Sequence, residues 1–320
     1  MENCDSQPQF WLAPLAGLND LPFRLLCARF GALGCHWAPM ICAQALMHPA
    51  SRLQTLKLLE WLPEQERALQ LFGPNPQIVG AALEVAWELG VREVNFNLGC
   101  QVPKVTKGGS GAILLRDLPQ VYAILEAMKR SYPQLHLSLK LRLGWDNYAL
   151  TPLLREASNL GVERVFVHGR LGTDGFGGDL RWDLLDRAAQ ESSVPFYANG
   201  GVTDWESAQR LLALPRCQGV MIGRGALGRA DIFAYLQAKA RGEELQDSTW
   251  SGSPAQRRQR QLELLKEHLE LVERYGRGPE RERMHKLRRH LAAYELLGPE
   301  RLQVASFRAL RDLIARSEQS

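Results

Sequence analysis

Eight short runs rich in β-branched and apolar residues recur between Phe10 and Ile222, with amphipathic stretches between them, and this alternation limits the fold more than any other feature of the chain. The runs lie near Phe10–Leu15, Cys35–Met40, Ala68–Phe72, Glu93–Asn97, His136–Leu141, Arg164–His168, Pro195–Asn199 and Gly219–Ile222. Helical periodicity marks Gln77–Leu89, Leu118–Tyr132, Thr151–Leu160, Trp182–Gln190 and Trp205–Leu214. Strands joined through helices pair in parallel, because a crossover returns the chain to the same end of the sheet. Eight such units over roughly 240 residues fit a (β/α)8 TIM barrel better than an open doubly wound sheet. The first two units are the least regular.

After Ala240 the pattern changes. The polar stretch Arg241–Ser253, with Gly242 and Gly252 ahead of Pro254, reads as a linker. Beyond it Leu262, Leu265, Leu269 and Val272 repeat at helical spacing, as do Met284, Leu287, Leu291 and Tyr294, and then Phe307, Leu310 and Ile314. Pro279 and Gly298-Pro299 divide these into about three helices. The expected organisation is a barrel over residues 1–241, a linker over 242–254 and a small C-terminal helical bundle domain over 255–320.

Composition adds charge and redox context. From Pro254 onward 15 Lys and Arg stand against 10 Asp and Glu, which leaves 24 against 25 for residues 1–253, so the basic excess belongs to the tail. A polyanionic partner there would explain it, although modestly basic helices also occur without one. The cysteines at 4, 27, 35, 42, 100 and 217 show no C-x-x-C spacing, which predicts free thiols, a reducing compartment and no zinc. No basic leader and no long uncharged apolar run is seen, so a cytoplasmic location without a membrane anchor is expected.

In a barrel of this kind the reactive groups come from the C-terminal ends of the strands and the loops that follow. Gln70, Asn97 and Cys100, Lys140, His168, Asn199-Gly200-Gly201 and Gly223-Arg224-Gly225 occupy such positions from the third strand to the eighth. Singly, a lysine in a strand reads as an edge residue and a histidine as a hydrogen-bonded core group. Recurrence at successive strand ends is what singles them out. Turns after strands seven and eight are also where barrels bind phosphate through backbone N–H groups, and Arg224 would add a charge-assisted contact. Cys100 sits where an apolar run breaks into a Gly- and Lys-rich loop. With an ordinary pKa of about 8.5 its thiol could act as a nucleophile or deliver a proton.

Ala13-Pro14-Leu15-Ala16-Gly17, Leu21-Pro22-Phe23-Arg24, Gln70-Leu-Phe-Gly73, Asn97-Leu-Gly-Cys100, Lys140-Leu-Arg142, His168-Gly-Arg170, Asn199-Gly-Gly201 and Gly223-Arg-Gly225 follow one another in order. In these motifs the chain resembles the tRNA-dihydrouridine synthases over nearly its whole length. Arg142-Leu-Gly-Trp-Asp146, Asp204-Trp-Glu-Ser-Ala208 and Ile222–Leu227 look most like the bacterial C-type subgroup, which acts on D-loop position 16. The resemblance implies an FMN-containing barrel that reduces a uridine of tRNA with NADPH, NADH being a possible substitute. A monomer without metal is expected.

Carried over residue by residue, Pro14, Leu15 and Ala16 run along the flavin through backbone contacts. Gln70, Asn97, Lys140 and His168 meet its polar edge, and Asn199, Gly200, Gly201, Gly223 and Arg224 hold the phosphate. Cys100 is the implied proton donor, supported by Lys140 and His168. For tRNA the expected contacts are Lys104, Lys107 and Arg170, together with Arg283, Lys286, Arg288 and Arg289. Of these, Arg283 and Lys286 fall with His290 on one face of a tail helix. The chain departs from the family pattern at Gln101, where proline is usual, at Ala38-Pro39-Met40, where an acidic residue is usual, and at Phe176 in place of an aromatic hydroxyl. Position 20 specificity and an FMN barrel oxidoreductase acting on a free pyrimidine, such as a dihydroorotate or dihydropyrimidine dehydrogenase, are the alternatives. A further one is an RNA-binding protein with a vestigial flavin site.

Overall fold

The computed structural model describes residues 7–243, 253–294 and 299–318. Its eight strands are β1 (Gln9–Leu12), β2 (Trp37–Cys42), β3 (Arg67–Phe72), β4 (Val91–Leu98), β5 (His136–Arg142), β6 (Arg164–His168), β7 (Phe196–Asn199) and β8 (Cys217–Ile222). They follow the order β1-β8-β7-β6-β5-β4-β3-β2 in one sheet. Every pairing from β2 to β8 is parallel. The fold is the expected (β/α)8 barrel with a C-terminal helical region.

The helices are α1 (Leu21–Arg29), α2 (Ala43–Met47), α3 (Pro49–Leu56), α4 (Pro76–Glu88), α5 (Pro103–Thr106), α6 (Leu118–Ser131), α7 (Thr151–Glu156), α8 (Trp182–Glu191), α9 (Trp205–Leu212), α10 (Ile232–Ala240), α11 (Pro254–Tyr275), α12 (Glu280–Leu291) and α13 (Phe307–Glu318). Several start by one local device. Asp20, Asn75, Asp117 and Ser253 each accept a hydrogen bond from a backbone N–H in the first turn, and a proline stands at one of the first two helical positions. Such a cap satisfies an orphan donor, and proline gives up an N–H that had no helical partner.

Two compact units divide the chain: Met1–Cys35 with Val202–Ala208 and Ile222–Ser320, and His36–Gly201 with Gln209–Met221. The second carries most of the sheet. Within it the buried rings of Trp37, Phe166 and Tyr197 pack in sequence, with centroids 5.4 Å and then 5.0 Å apart. Register between β2 and β3 breaks between Ala38 and Ile41. Pro39, which lacks an N–H, lies inside that break. The irregularity shifts β2 two residues beyond the predicted Cys35–Met40.

In the other unit β1 ends before Ala13, whose N–H donates to the Ile222 carbonyl at 2.8 Å. Leu262, Leu265, Leu269 and Val272 of α11, Met284, Leu287 and Leu291 of α12, Tyr294, and Phe307, Leu310 and Ile314 of α13 form one buried cluster, as the helical spacing predicts. Of the predicted linker, residues 244–252 lie outside the described residues. Among the described residues no helix is long and apolar enough to cross a membrane. Cys27, Cys35, Cys42, Cys100 and Cys217 are free, while Cys4 lies outside the described residues.

Candidate active site

Polar residues at alternate positions of neighbouring strands share one face, because side chains in a strand repeat every two residues. Asn95 and Asn97 of β4 stand beside Ser138 and Lys140 of β5 in register, and Gln70 of β3 stands beside Asn95. The result is a continuous buried ladder. Asn95 Nδ2 donates to Ser138 Oγ (2.9 Å), Gln70 Nε2 to Asn95 Oδ1 (2.6 Å), and Asn97 Nδ2 to Gln70 Oε1 (2.8 Å). Asn97 also donates to the Met40 sulfur at 2.9 Å, at the place where the chain departs from the family pattern. Its Oδ1 accepts from the backbone nitrogens of both Gly99 and Cys100, each at 2.9 Å.

Cys100 is half-buried at the start of the loop. The loop folds back on it, because the Ala112 N–H donates to the Cys100 carbonyl at 2.9 Å. Gly111 allows this approach: its φ is +71°, and a Cβ there would lie 2.5 Å from the same carbonyl oxygen. Burial pushes the Cys100 thiol up from its ordinary range, against smaller lowering effects from the Val102 N–H, Lys140 and Arg142. The sulfur therefore holds its proton at neutral pH, as an acid must and a nucleophile must not.

Lys140 donates to Asn199 Oδ1 at 3.1 Å, and Asn199 Nδ2 donates to the Met221 carbonyl at 2.7 Å. Burial, reinforced by Arg142, depresses the Lys140 ammonium to about 8. Among the described residues its one hydrogen-bond partner is a neutral amide oxygen, so the site favours an anionic ligand. Next to Asn199, Gly200 has φ +131° and a Cβ there would meet His168 Cδ2 at 2.9 Å. Gly201 has φ +68°, and nothing lies within 4 Å of where a Cβ would be. Backbone this exposed offers N–H groups to a phosphate.

Arg170 Nη1 donates to His168 Nε2 at 2.9 Å, and its Nε and Nη2 donate to the Gly178 carbonyl. A guanidinium can only donate, so Nε2 of His168 accepts and the ring proton sits on Nδ1. Arg170 is 8 % exposed. Its bonds to the Gly178 carbonyl hold the guanidinium against His168 and fix the ring. Arg142 has a role that its motif alone does not assign. It is buried, and it donates from Nε to Gly99 O, from Nη1 to Leu171 O and from Nη2 to Gly175 O. The signal is present in the sequence: two cations two residues apart in an apolar strand share a face.

In the other unit Pro14 and Leu15 are half-buried and Ala16 is exposed after β1. A Cβ on Gly223 would stand 3.4 Å from Leu15 Cδ2, and Arg224 is exposed. Arg289 is exposed and donates to the Gly17 carbonyl at 3.3 Å. Lys286 and Arg288 are half-buried. Arg283 lies over the Phe307 ring and donates to the Glu273 carbonyl at 2.9 Å, capping the end of α11. His290 departs from the expected basic face: it is 1 % exposed and packs on Phe23 with centroids 4.8 Å apart. The apolar stripe of α12 is wide enough to include it. On the loop after Cys100, Lys104 and Lys107 are exposed and make no ion pair among the described residues.

The family model described as "Dihydrouridine synthase (Dus)" matches residues 11–316. A protein of Pseudomonas putida named "tRNA-dihydrouridine synthase B" is 34 % identical over 73 % of this chain and 69 % of its own length. A "Probable tRNA-dihydrouridine synthase" of Rickettsia bellii is 30 % identical over 86 % of this chain and 82 % of its own.

Proposed function

The chain belongs to the dihydrouridine synthase family and is an enzyme of that class, and from that premise we propose that it reduces the C5–C6 double bond of a D-loop uridine in tRNA, at position 16, using FMN and NADPH. The observation that carries the reading is the placement of Cys100, just past the end of β4, next to the half-buried Lys140, which stands in register with Asn97 on β5. A thiol that keeps its proton supplies an acid, and a cation without an anionic partner among the described residues suits a cofactor whose reduced form is negative.

The residues fit the cofactor. Lys140 and His168 would favour negative charge on the bound flavin, and the family pattern assigns Gln70 and Asn97 to its polar edge. The open backbone at Gly201 suits the phosphate, with Gly200 and Asn199 assigned beside it by the family pattern. Gly223 and Arg224, and the backbone of Pro14, Leu15 and Ala16, are assigned to the same cofactor by the family pattern. Held by these residues, FMN reduced by NADPH would supply a hydride for C6 of the uracil. Cys100 gives its proton to C5, so a hydride and a proton add across the double bond, and the thiolate left behind regains a proton from solvent. Asn97 holds the loop that aims the thiol, and Arg170 holds the imidazole.

A base stacked inside tRNA cannot reach such a site, so the nucleotide is extruded at a cost of roughly a few kcal/mol. Contacts to the rest of the tRNA offset that cost. Lys104 and Lys107 of the loop after Cys100 would grip backbone beside the base, and Lys286, Arg288 and Arg289 of the helical domain (255–320) would supply further phosphate contacts. Mapping dihydrouridine in tRNA incubated with the purified yellow protein and NADPH tests the whole reading. Product at position 16 supports it, product at position 20 moves the site, and turnover of a free pyrimidine with tRNA inert replaces tRNA as the substrate.

A further inference from the structure

We propose that Asp20, His268 and His290 form a binding site for one divalent transition-metal ion of the zinc class, clasping the start of α1 to α11 and α12. One potential ligand atom from each lies within 4.8 Å of the others, and all three residues belong to the same compact unit. The expectation of no metal rested on cysteine spacing, and this site uses no cysteine.

The two imidazoles are built as ligands rather than as ordinary core groups. His268 is fully buried, and its Nδ1 meets the Tyr294 hydroxyl at 3.2 Å while Nε2 has no hydrogen-bond partner among the described residues. One ring nitrogen engaged by a neighbour and the other left open is the arrangement of a metal-ligating histidine, whose outer partner sets tautomer and orientation. His290 is buried with neither nitrogen partnered among the described residues. Buried polar atoms in folded proteins are nearly always satisfied, so three orphaned nitrogens in one pocket point to a shared ligand. Burial holds both rings well below the ordinary histidine range, His290 at about 4, which keeps them in the neutral form that binds metal.

Asp20 supplies the anion. One carboxylate oxygen caps α1 by accepting from the Phe23 N–H at 3.2 Å, which orients the group toward the helices. Two imidazoles and a carboxylate suit zinc, cobalt, manganese or iron better than calcium or magnesium. A tetrahedral site with metal–nitrogen bonds of about 2.0–2.1 Å has ligand separations of about 3.4 Å, so side-chain torsions need only draw the three atoms together. Asp20 is only half-buried and gives an entry path, with a water as fourth ligand. The competing outcome is plain aromatic packing, since Phe23 lies 4.8 Å from His290 and 5.9 Å from His268.

The test uses the full-length protein, with any affinity tag removed, loaded with zinc or cobalt chloride, freed of excess ion by gel filtration and assayed by elemental analysis. The expected result is about one ion per chain, with a visible cobalt absorption band and a melting temperature that falls on adding chelator. Asp20→Asn keeps a residue able to cap the helix, and His290→Phe keeps a ring in the core. Each should lose the ion and the chelator response while retaining flavin content and helical circular dichroism. Should His290→Phe fail to fold, Asp20→Asn decides. Substoichiometric metal in the wild type overturns the proposal, as does an ion retained by a folded variant. Neither readout depends on turnover, so failure here leaves the proposed reaction untouched.

Discussion

The side-chain oxygen of Asn97 lies 2.9 Å from the backbone nitrogen of Cys100 and the same distance from that of Gly99. The thiol is thus aimed by an amide three residues back, itself fixed by Gln70 and, through it, by Asn95 and Ser138. Asn97→Ala should destabilise the fold by about 1–3 kcal/mol, because it leaves a buried acceptor on Gln70 and two loop N–H groups unmet. It should also lower kcat more than it raises KM, since the acid is displaced while the RNA-binding surface elsewhere stays. Denaturant melts and steady-state dihydrouridine formation measure the two effects.

Cys100→Ala should give a folded, yellow protein that NADPH still reduces, with dihydrouridine formation slowed by about 10²–10⁴-fold, the range for loss of a general acid. Undiminished turnover would remove the acid role. In the wild type, burial raises the thiol above its ordinary value. The single-turnover rate should stay level through neutral pH and decline only beyond the usual thiol range of about 8.5.

Lys140 has a folded-state pKa of about 8 against an ordinary 10.5. In flavin-free protein the ammonium therefore opposes folding fully below about pH 8, and the penalty fades as pH climbs through 10.5, above which both states are neutral. Lys140→Met should raise the melting temperature of that form at pH 7 by on the order of a few °C, less the loss of the Asn199 hydrogen bond. The gain should shrink at pH 9 and vanish above pH 10.5. Flavin retention should weaken in the same variant. A gain that grows with pH would refute the assignment.

Lys104 and Lys107 are exposed at the mouth loop. Replacing both with alanine should weaken tRNA binding and flatten the plot of log affinity against log salt by about 0.7–0.9 for each phosphate no longer neutralised. Replacing Lys286, Arg288 and Arg289 together should act in the same direction. Arg283 is expected to behave differently, since its guanidinium caps α11 and its loss should lower stability more than affinity. Filter binding over a salt series, alongside thermal melts, separates the two classes.

Strands β3 to β8 were legible because each is an apolar run between turn residues, and β6 matches its prediction residue for residue. Strand β2 was displaced because Pro39 interrupts the ladder, an effect that depends on the neighbouring strand. Helix α2, at five residues, is too short for a period to show in the sequence. Thr151–Leu160 overran α7, which stops at Glu156. At the site the strand-end residues were visible by position. The engagements of Arg142 and Arg170 were not, because their partners are carbonyls at Gly99, Leu171, Gly175 and Gly178 that no side-chain pattern announces. The spacing of α12 puts His290 on the basic face because the helix carries charge on both flanks, whereas Phe23 of α1 and His268 of α11 draw it inward.

Arg142 joins Gly99 on one loop to Leu171 and Gly175 on another through a single planar group. Segments clamped by one rigid fork cannot loosen separately: parting with any carbonyl tilts the plane and weakens its grip on the other two. Breathing of this rim should be concerted, so that whatever steadies the cysteine segment also steadies the stretch after β6. Amide-exchange protection at the two places should then rise and fall together, even under ligands that touch only one of them.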